Sequence, residues 1–191
     1  MKRNWSARSG APSPAATALA VFVVSFATLL GAWYFQFVLK FAPCPLCLEQ
    51  RIPYYVVIPL SLLLTIAAAR HAPRAIVAGG FVVILVAAAC GTALGTYHAG
   101  VEWHFWPGPS DCSGPLGALN SGGSLLEQLN SVHVVRCDQA AWRFLGISLA
   151  GYNVLISLAM AVLALYGLLA CRHSAASLGL AIRRPRQKDL H

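Results

Sequence analysis

The chain has 191 residues, of which 58% are hydrophobic and only 10% charged, far too apolar for an ordinary soluble domain of that length. A water-solvated globular enzyme is excluded, and the lipid bilayer becomes the solvent against which the residues are read. The formal net charge of +8 is a topology signal once its positions are considered, rather than a mark of nucleic-acid binding.

A helix needs about 20 apolar residues to cross the hydrocarbon core, and four runs qualify, at 15–39, 52–69, 75–97 and 144–170. They predict an all-α membrane protein, a four-transmembrane-helix bundle. Lys2, Arg3 and Arg8, in an N-terminal tail over 1–14, precede the first run as they would a secretory signal. That run nevertheless stays apolar for about 25 residues, beyond the roughly 7 to 15 of a signal core, and no small-residue cleavage site follows it. It is expected to remain as an anchor.

Residues 40–51 form a short loop that contains Cys44-Pro45-Leu46-Cys47 and, one helical turn on, Arg51. The second run is the shortest and carries Pro53 and Pro59, which predicts a kinked span that draws its first turn from Leu48 to Arg51. A tight loop over 70–74 leads to the third run. The segment 98–143 is rich in Gly, Pro and Ser, as in Trp106-Pro107-Gly108-Pro109-Ser110, and is too long to be a mere connector. It holds Cys112 and Cys137. Ser124 and Glu127 have capping-box spacing and are followed by apolar residues on one face, so a short helix resting on the membrane is expected there. Trp103, Phe105, Trp106 and Trp142 suit the interfacial aromatic belt. A tail over 171–191 follows the fourth run, and neither an internal repeat nor a separate soluble domain is evident.

Lys and Arg near span ends are retained on the cytoplasmic side. Lys2, Arg3, Arg8, Arg70, Arg74, Arg172, Arg183, Arg184, Arg186 and Lys188 fall on one side; only Lys40, Arg51, Arg136 and Arg143 fall on the other. Both termini are therefore expected in the cytoplasm. Cys44, Cys47, Cys112 and Cys137 then lie on the outer face, where disulfides persist. Cys90, inside the third run, and Cys171, at the end of the fourth, read as small apolar packing residues.

Disulfide exchange needs an attacking thiolate, a second thiol close enough to resolve, and access to a partner. Two residues between Cys44 and Cys47 supply the closeness, and a helix N-terminus favours the thiolate through its unpaired N–H groups and macrodipole. Cys47 and Arg51 share a helical face at i and i+4, and the guanidinium is permanently charged. An anionic sulfur, or the anionic oxygen of a reduced cofactor, would be held there. The residues also admit a static disulfide clip between spans and a zinc site built from both cysteine pairs. The zinc reading is poorer, because such sites bring two closely spaced pairs, and no metal is expected.

The stretch Cys-Pro-Leu-Cys-Leu-Glu-Gln-Arg, Tyr97-His98, Trp106-Pro107-Gly108-Pro109 before Cys112, and Trp142-Arg143-Phe144-Leu145-Gly146 after Cys137 together resemble the disulfide bond formation protein B (DsbB) family, thiol oxidases of the bacterial inner membrane. Gln50 departs from the acidic residue that many relatives carry before the arginine. The resemblance implies a periplasmic loop disulfide, Cys112 with Cys137, that oxidises a periplasmic thioredoxin-like dithiol protein (DsbA-like). It also implies that Cys44 and Cys47 are reoxidised by ubiquinone or menaquinone, with Cys47 nearest the ring and Arg51 supporting it. His98 could donate a hydrogen bond or proton at the same site, or be an interfacial histidine bonded to solvent. Two other readings remain open. One is a vitamin K epoxide reductase-like enzyme, although there the Cys-x-x-Cys belongs to a late span. The other is a non-enzymatic scaffold with permanent disulfides.

Overall fold

The computed structural model describes residues 13–109 and 136–183, with side chains as far as residue 171. The cations of the N-terminal tail, Cys112, the expected helix after Ser124 and the last basic residues of the C-terminal tail lie outside the described residues.

Ser13 caps α1 (Pro14–Trp33): its Oγ accepts the Ala16 N–H at 3.2 Å, and Pro14 fills the first helical position, where its missing N–H costs nothing. The helix then widens into a π turn over Tyr34–Val38 and stops at Lys40, whose φ is +60°. The short helix α2 (Pro45–Glu49) and α3 (Ile52–Ala69) together form the second span. They are divided because Pro53 has no N–H to return to the Glu49 carbonyl. The expected borrowing of a turn from Leu48 to Arg51 is thus larger, reaching back to Pro45.

His71, at φ +58°, closes α3 as its N–H bonds the Ala68 carbonyl and that of Ala72 the Ala67 carbonyl, a Schellman stop with Pro73 behind it. Next, α4 (Arg74–Glu102) runs five residues beyond the Tyr97 at which its apolar pattern ends. Polar His98 and Glu102 do not break it, because they lie four apart and both turn inward, and His104 at φ +60° makes the stop instead. Residues 144–148 do not open the fourth span as expected. Arg143–Phe144 (β1) pairs antiparallel with Ile147–Ser148 (β2) around Leu145 and Gly146, both at positive φ. This two-residue hairpin has the primed-turn signs, and α5 (Leu149–Arg183) begins after it.

The described residues hold four helical spans long and apolar enough to cross a membrane: Pro14–Val38, Pro45–Ala69, Arg74–Glu102 and Leu149–Cys171. The architecture is the all-α four-span bundle. Leu63, Ile76, Val86 and Leu155 point outward on its helices, as side chains facing lipid should. Hydrophobic burial cannot then draw helix against helix, so close packing and interhelical hydrogen bonds must hold them together. The longest shared face joins α4 and α5. There Gly91 and Gly95 admit α5: a Cβ on Gly91 would sit 2.9 Å from Ser157 Oγ, and one on Gly95 2.9 Å from Val154 Cγ2 and 3.1 Å from Asn153 Nδ2.

This close approach predicts that Gly95→Val lowers stability by about 1–3 kcal/mol through overpacking. The control Gly79→Val, at a glycine with nothing within 4 Å, should change it little. Thermal unfolding in detergent measures both, and equal effects would remove the packing argument.

Candidate redox site

Cys44 is the N-cap of α2, with φ −73° and ψ 166°, and its Sγ accepts the Cys47 N–H at 3.3 Å. One turn of helix thereby brings Cys47 Sγ to 2.8 Å from Cys44 Sγ, with both residues as free thiols. A movement of less than an ångström would bring the sulfurs to the bond length of about 2.05 Å. The hydrogen bond with the Cys47 side chain does most to hold the Cys44 thiol down, to about 5 from an ordinary 9.0. Burial opposes it, while His98 and the Cys47 N–H add to it. Cys44 is therefore the thiolate of the pair, stabilised where a helix N-terminus and a neighbouring donor both favour negative sulfur.

A line of amides leads to this sulfur from the bundle interior. Tyr54 Oη donates to Asn153 Oδ1 at 2.6 Å, and Asn153 Nδ2 donates to Gln50 Oε1 at 2.7 Å. Gln50 Nε2 lies 2.6 Å from His98 Nδ1. An amide nitrogen only donates, so Nδ1 must accept and the ring proton sits on Nε2. That nitrogen is 3.8 Å from Cys44 Sγ and 3.9 Å from Glu102 Oε1. His98 is 4% exposed and belongs to this network, so the solvated interfacial histidine is not what forms. Gln50 is the joint that connects α5 to the histidine.

A cavity of about 300 Å³ opens beside the pair, with Leu29, Phe35, Phe41 and Ile156 among its apolar walls. Cys47, Arg51, His98 and Glu102 also line it; Cys44 does not. The π turn of α1 brings Gln36 to the same wall, where its Oε1 accepts from Arg51 Nη1 at 2.5 Å and fixes the guanidinium. Cys44 shares a buried cluster with Leu46, Val101 and Cys137, against which Cys47 also packs. Cys137 is fully buried and disulfide-bonded, so it offers no thiolate to a zinc site built from both pairs. Cys90 is exposed on α4 and Cys171 buried at the far end of α5, apart from this cluster.

The structure thus brings Cys44, Cys47, His98, Arg51 and Cys137 to one end of the bundle, while Cys112 lies outside the described residues. It adds Gln36, Tyr54, Glu102 and Asn153, which were not singled out for function. Gln36, Tyr54 and Asn153 carried a signal, since a lone polar side chain inside an apolar run is a functional candidate by default; Glu102, beyond the end of the third run, carried none.

Fold and site define a multi-pass membrane protein with a buried, reactive dithiol. The family model "Disulfide bond formation protein DsbB" matches residues 14–167. A disulfide bond formation protein B of Xanthomonas campestris pv. campestris (strain 8004) is 32% identical over 157 residues, 77% of this chain and 88% of that protein. One of Xylella fastidiosa is 29% identical over 165 residues, 85% and 90% of the two chains. An uncharacterized protein of Rickettsia prowazekii is 26% identical over 147 residues, 75% and 81%. No solved structure matches the chain significantly. The chain belongs to the DsbB family and is a membrane disulfide oxidoreductase.

The pH dependence follows from Cys44. Its folded value lies below its unfolded one, so ionised Cys44 stabilises the folded dithiol form; that contribution is complete above pH 9.0 and lost as the pH falls through about 5. The thiolate ultraviolet absorbance of the reduced protein should titrate with a midpoint of about 5 and lose that phase in Cys44→Ser. A midpoint near the ordinary thiol value would contradict the site geometry.

Proposed function

We propose that the protein takes electrons from a periplasmic thioredoxin-like dithiol protein of the DsbA type and passes them to ubiquinone or menaquinone, sustaining disulfide bond formation in the periplasm. The observation that supports this reading most is the position of the Cys44–Cys47 pair between two surroundings. Cys44 packs with Cys137, and Cys47 opens on an apolar cavity within the bundle. The partner's thiolate attacks a Cys112–Cys137 disulfide at Cys112, and the partner leaves oxidised. The resulting Cys112 and Cys137 thiols are reoxidised by a Cys44–Cys47 disulfide, which becomes the dithiol.

A quinone supplies a membrane-soluble acceptor for two electrons and two protons. The residues present fit it: the cavity volume is at the lower end of small-molecule sites, which run about 300–1,000 Å³, and its apolar walls end in a few polar groups. Arg51, oriented by Gln36, holds a permanent positive charge against an oxygen that becomes anionic on reduction, in a site of low dielectric. Cys47 presents the sulfur that faces the cavity. His98 keeps its Nε2–H directed at Cys44 and so maintains the thiolate.

The charge distribution supports an inner-membrane protein with both termini cytoplasmic and the cysteine end in the periplasm. A reporter fused after His191 should read cytoplasmic and one inserted near Gly122 periplasmic. With reduced partner and a soluble quinone, Ser at Cys44, Cys47, Cys112 or Cys137 should abolish turnover, while Ser at Cys90 or Cys171 should not. Arg51→Ala should leave disulfides able to form but weaken quinone use, with Arg51→Lys restoring part of it. Retained turnover in Cys112→Ser would remove the loop pair from the relay. Unchanged quinone kinetics in Arg51→Ala would reduce that residue to an interfacial anchor.

A further inference from the structure

We propose that Glu102 is the proton store of the site: its carboxylate holds, on Oε2, the proton given up by Cys44 in the dithiol state and releases it into the cavity when the disulfide closes. The inference rests on the relay read above, but it concerns the chain's own protons.

Closing Cys44 and Cys47 to a disulfide releases two electrons and two protons. Cys47 lines the cavity and can hand its proton directly to whatever occupies it. Cys44 cannot, because it is 1% exposed and is absent from the cavity wall. Its proton needs another holder.

His98 is the nearest base, yet the amide line denies it that role. A second ring proton would sit on Nδ1 and face the Gln50 Nε2–H groups across 2.6 Å, donor against donor. Nδ1 is thus committed to accepting from Gln50. Glu102 differs. The residue is 7% exposed, its Oε1 is 3.9 Å from His98 Nε2, and its Oε2 has no hydrogen-bond partner among the described residues. A buried carboxylate oxygen with no donor is costly, whereas the same oxygen carrying a proton removes the charge that needed one. Glu102 also lines the cavity, so a proton held there has the outlet that Cys44 lacks. Cys44 and Glu102 meet at one atom, His98 Nε2, which is 3.8 Å from the sulfur and 3.9 Å from Oε1.

The charges around the pair support a single negative charge shared between the two residues. The cations Arg51 of the second span, Arg136 of the cavity wall and Arg143 of β1 face it, with the titratable side chains of Cys47 and of His98 on α4 beside them. Two anions close together in low dielectric do not both persist. When Cys44 becomes a thiolate, Glu102 takes the proton. When Cys44 joins Cys47, Glu102 returns to its anion. Per turnover one S–S bond forms, two electrons leave to an acceptor of the quinone class, and one proton each departs from Cys47 and Glu102.

The test is proton uptake on full chemical reduction of quinone-free protein at neutral pH, measured with a pH indicator in weak buffer. The loop cysteines contribute equally in every variant, so the difference between variants isolates Glu102. Glu102→Gln should take up one proton fewer per molecule than the wild type, and Glu102→Asp should restore it. Equal uptake in wild type and Glu102→Gln overturns the proposal. Should Glu102→Gln fail to fold, infrared difference spectra of the wild type decide: reduction should produce a protonated-carboxyl C=O band, and its absence overturns the proposal. Neither readout uses a quinone. A wild type that passes both but reduces no quinone would leave the proton store intact and sink the relay.

Discussion

The hydrogen bond from Asn153 to Gln50 ties the fourth span to the break in the second, and the site depends on it. In hydrocarbon a polar side chain must find a partner within the protein. Tyr54, Asn153, Gln50 and His98 satisfy one another in a single line that crosses from α3 and α5 to α4. The line does two things. It holds the helices in the relative position at which Gly91 and Gly95 interlock with α5, and it selects the histidine tautomer that donates toward Cys44. A bundle held by apolar contact alone would be free to slide, since lipid competes equally for apolar faces.

Around this line the dithiol is asymmetric. Cys44, whose sulfur accepts a backbone N–H and which packs in one cluster with Cys137, is built to be a thiolate; Cys47, at the cavity wall, is built to meet a small molecule. That asymmetry arises although the N-cap and the residue three positions on share one face of the short helix, their sulfurs 2.8 Å apart: only Cys47 lines the cavity, and Cys44 is 1% exposed. Pro45 starts that helix and Pro53 ends it, so the pair sits on a rigid turn rather than on a loop. Arg51 follows at the joint, where Gln36 from the π turn of α1 reaches it.

Much of this was legible in the sequence. The spans follow from apolar run length, and the pairing of Cys44 with Cys47 follows from a two-residue spacing at a helix start. The end of the third span and the start of the fourth were not legible. An apolar pattern stops at Tyr97, but a helix can continue while its polar residues face inward, and nothing local says which way His98 and Glu102 point. The hairpin at 143–148 was hidden because Leu145, a residue that disfavours positive φ, adopts it beside Gly146. The amide line was hidden for a different reason. Gln50 and Asn153 are 103 positions apart, and only the packing of the bundle reveals that they meet.

The central claim is that the Cys44–Cys47 dithiol itself delivers electrons to a quinone in the bundle. A single-turnover experiment tests it without any partner: a variant with Ser at Cys112 and Cys137, fully reduced, is mixed with excess soluble quinone and the quinone absorbance is followed. The account predicts one quinone reduced per molecule, with Cys44 and Cys47 recovered as a disulfide by mass spectrometry. A folded variant that leaves both thiols free and the quinone unreduced would contradict it.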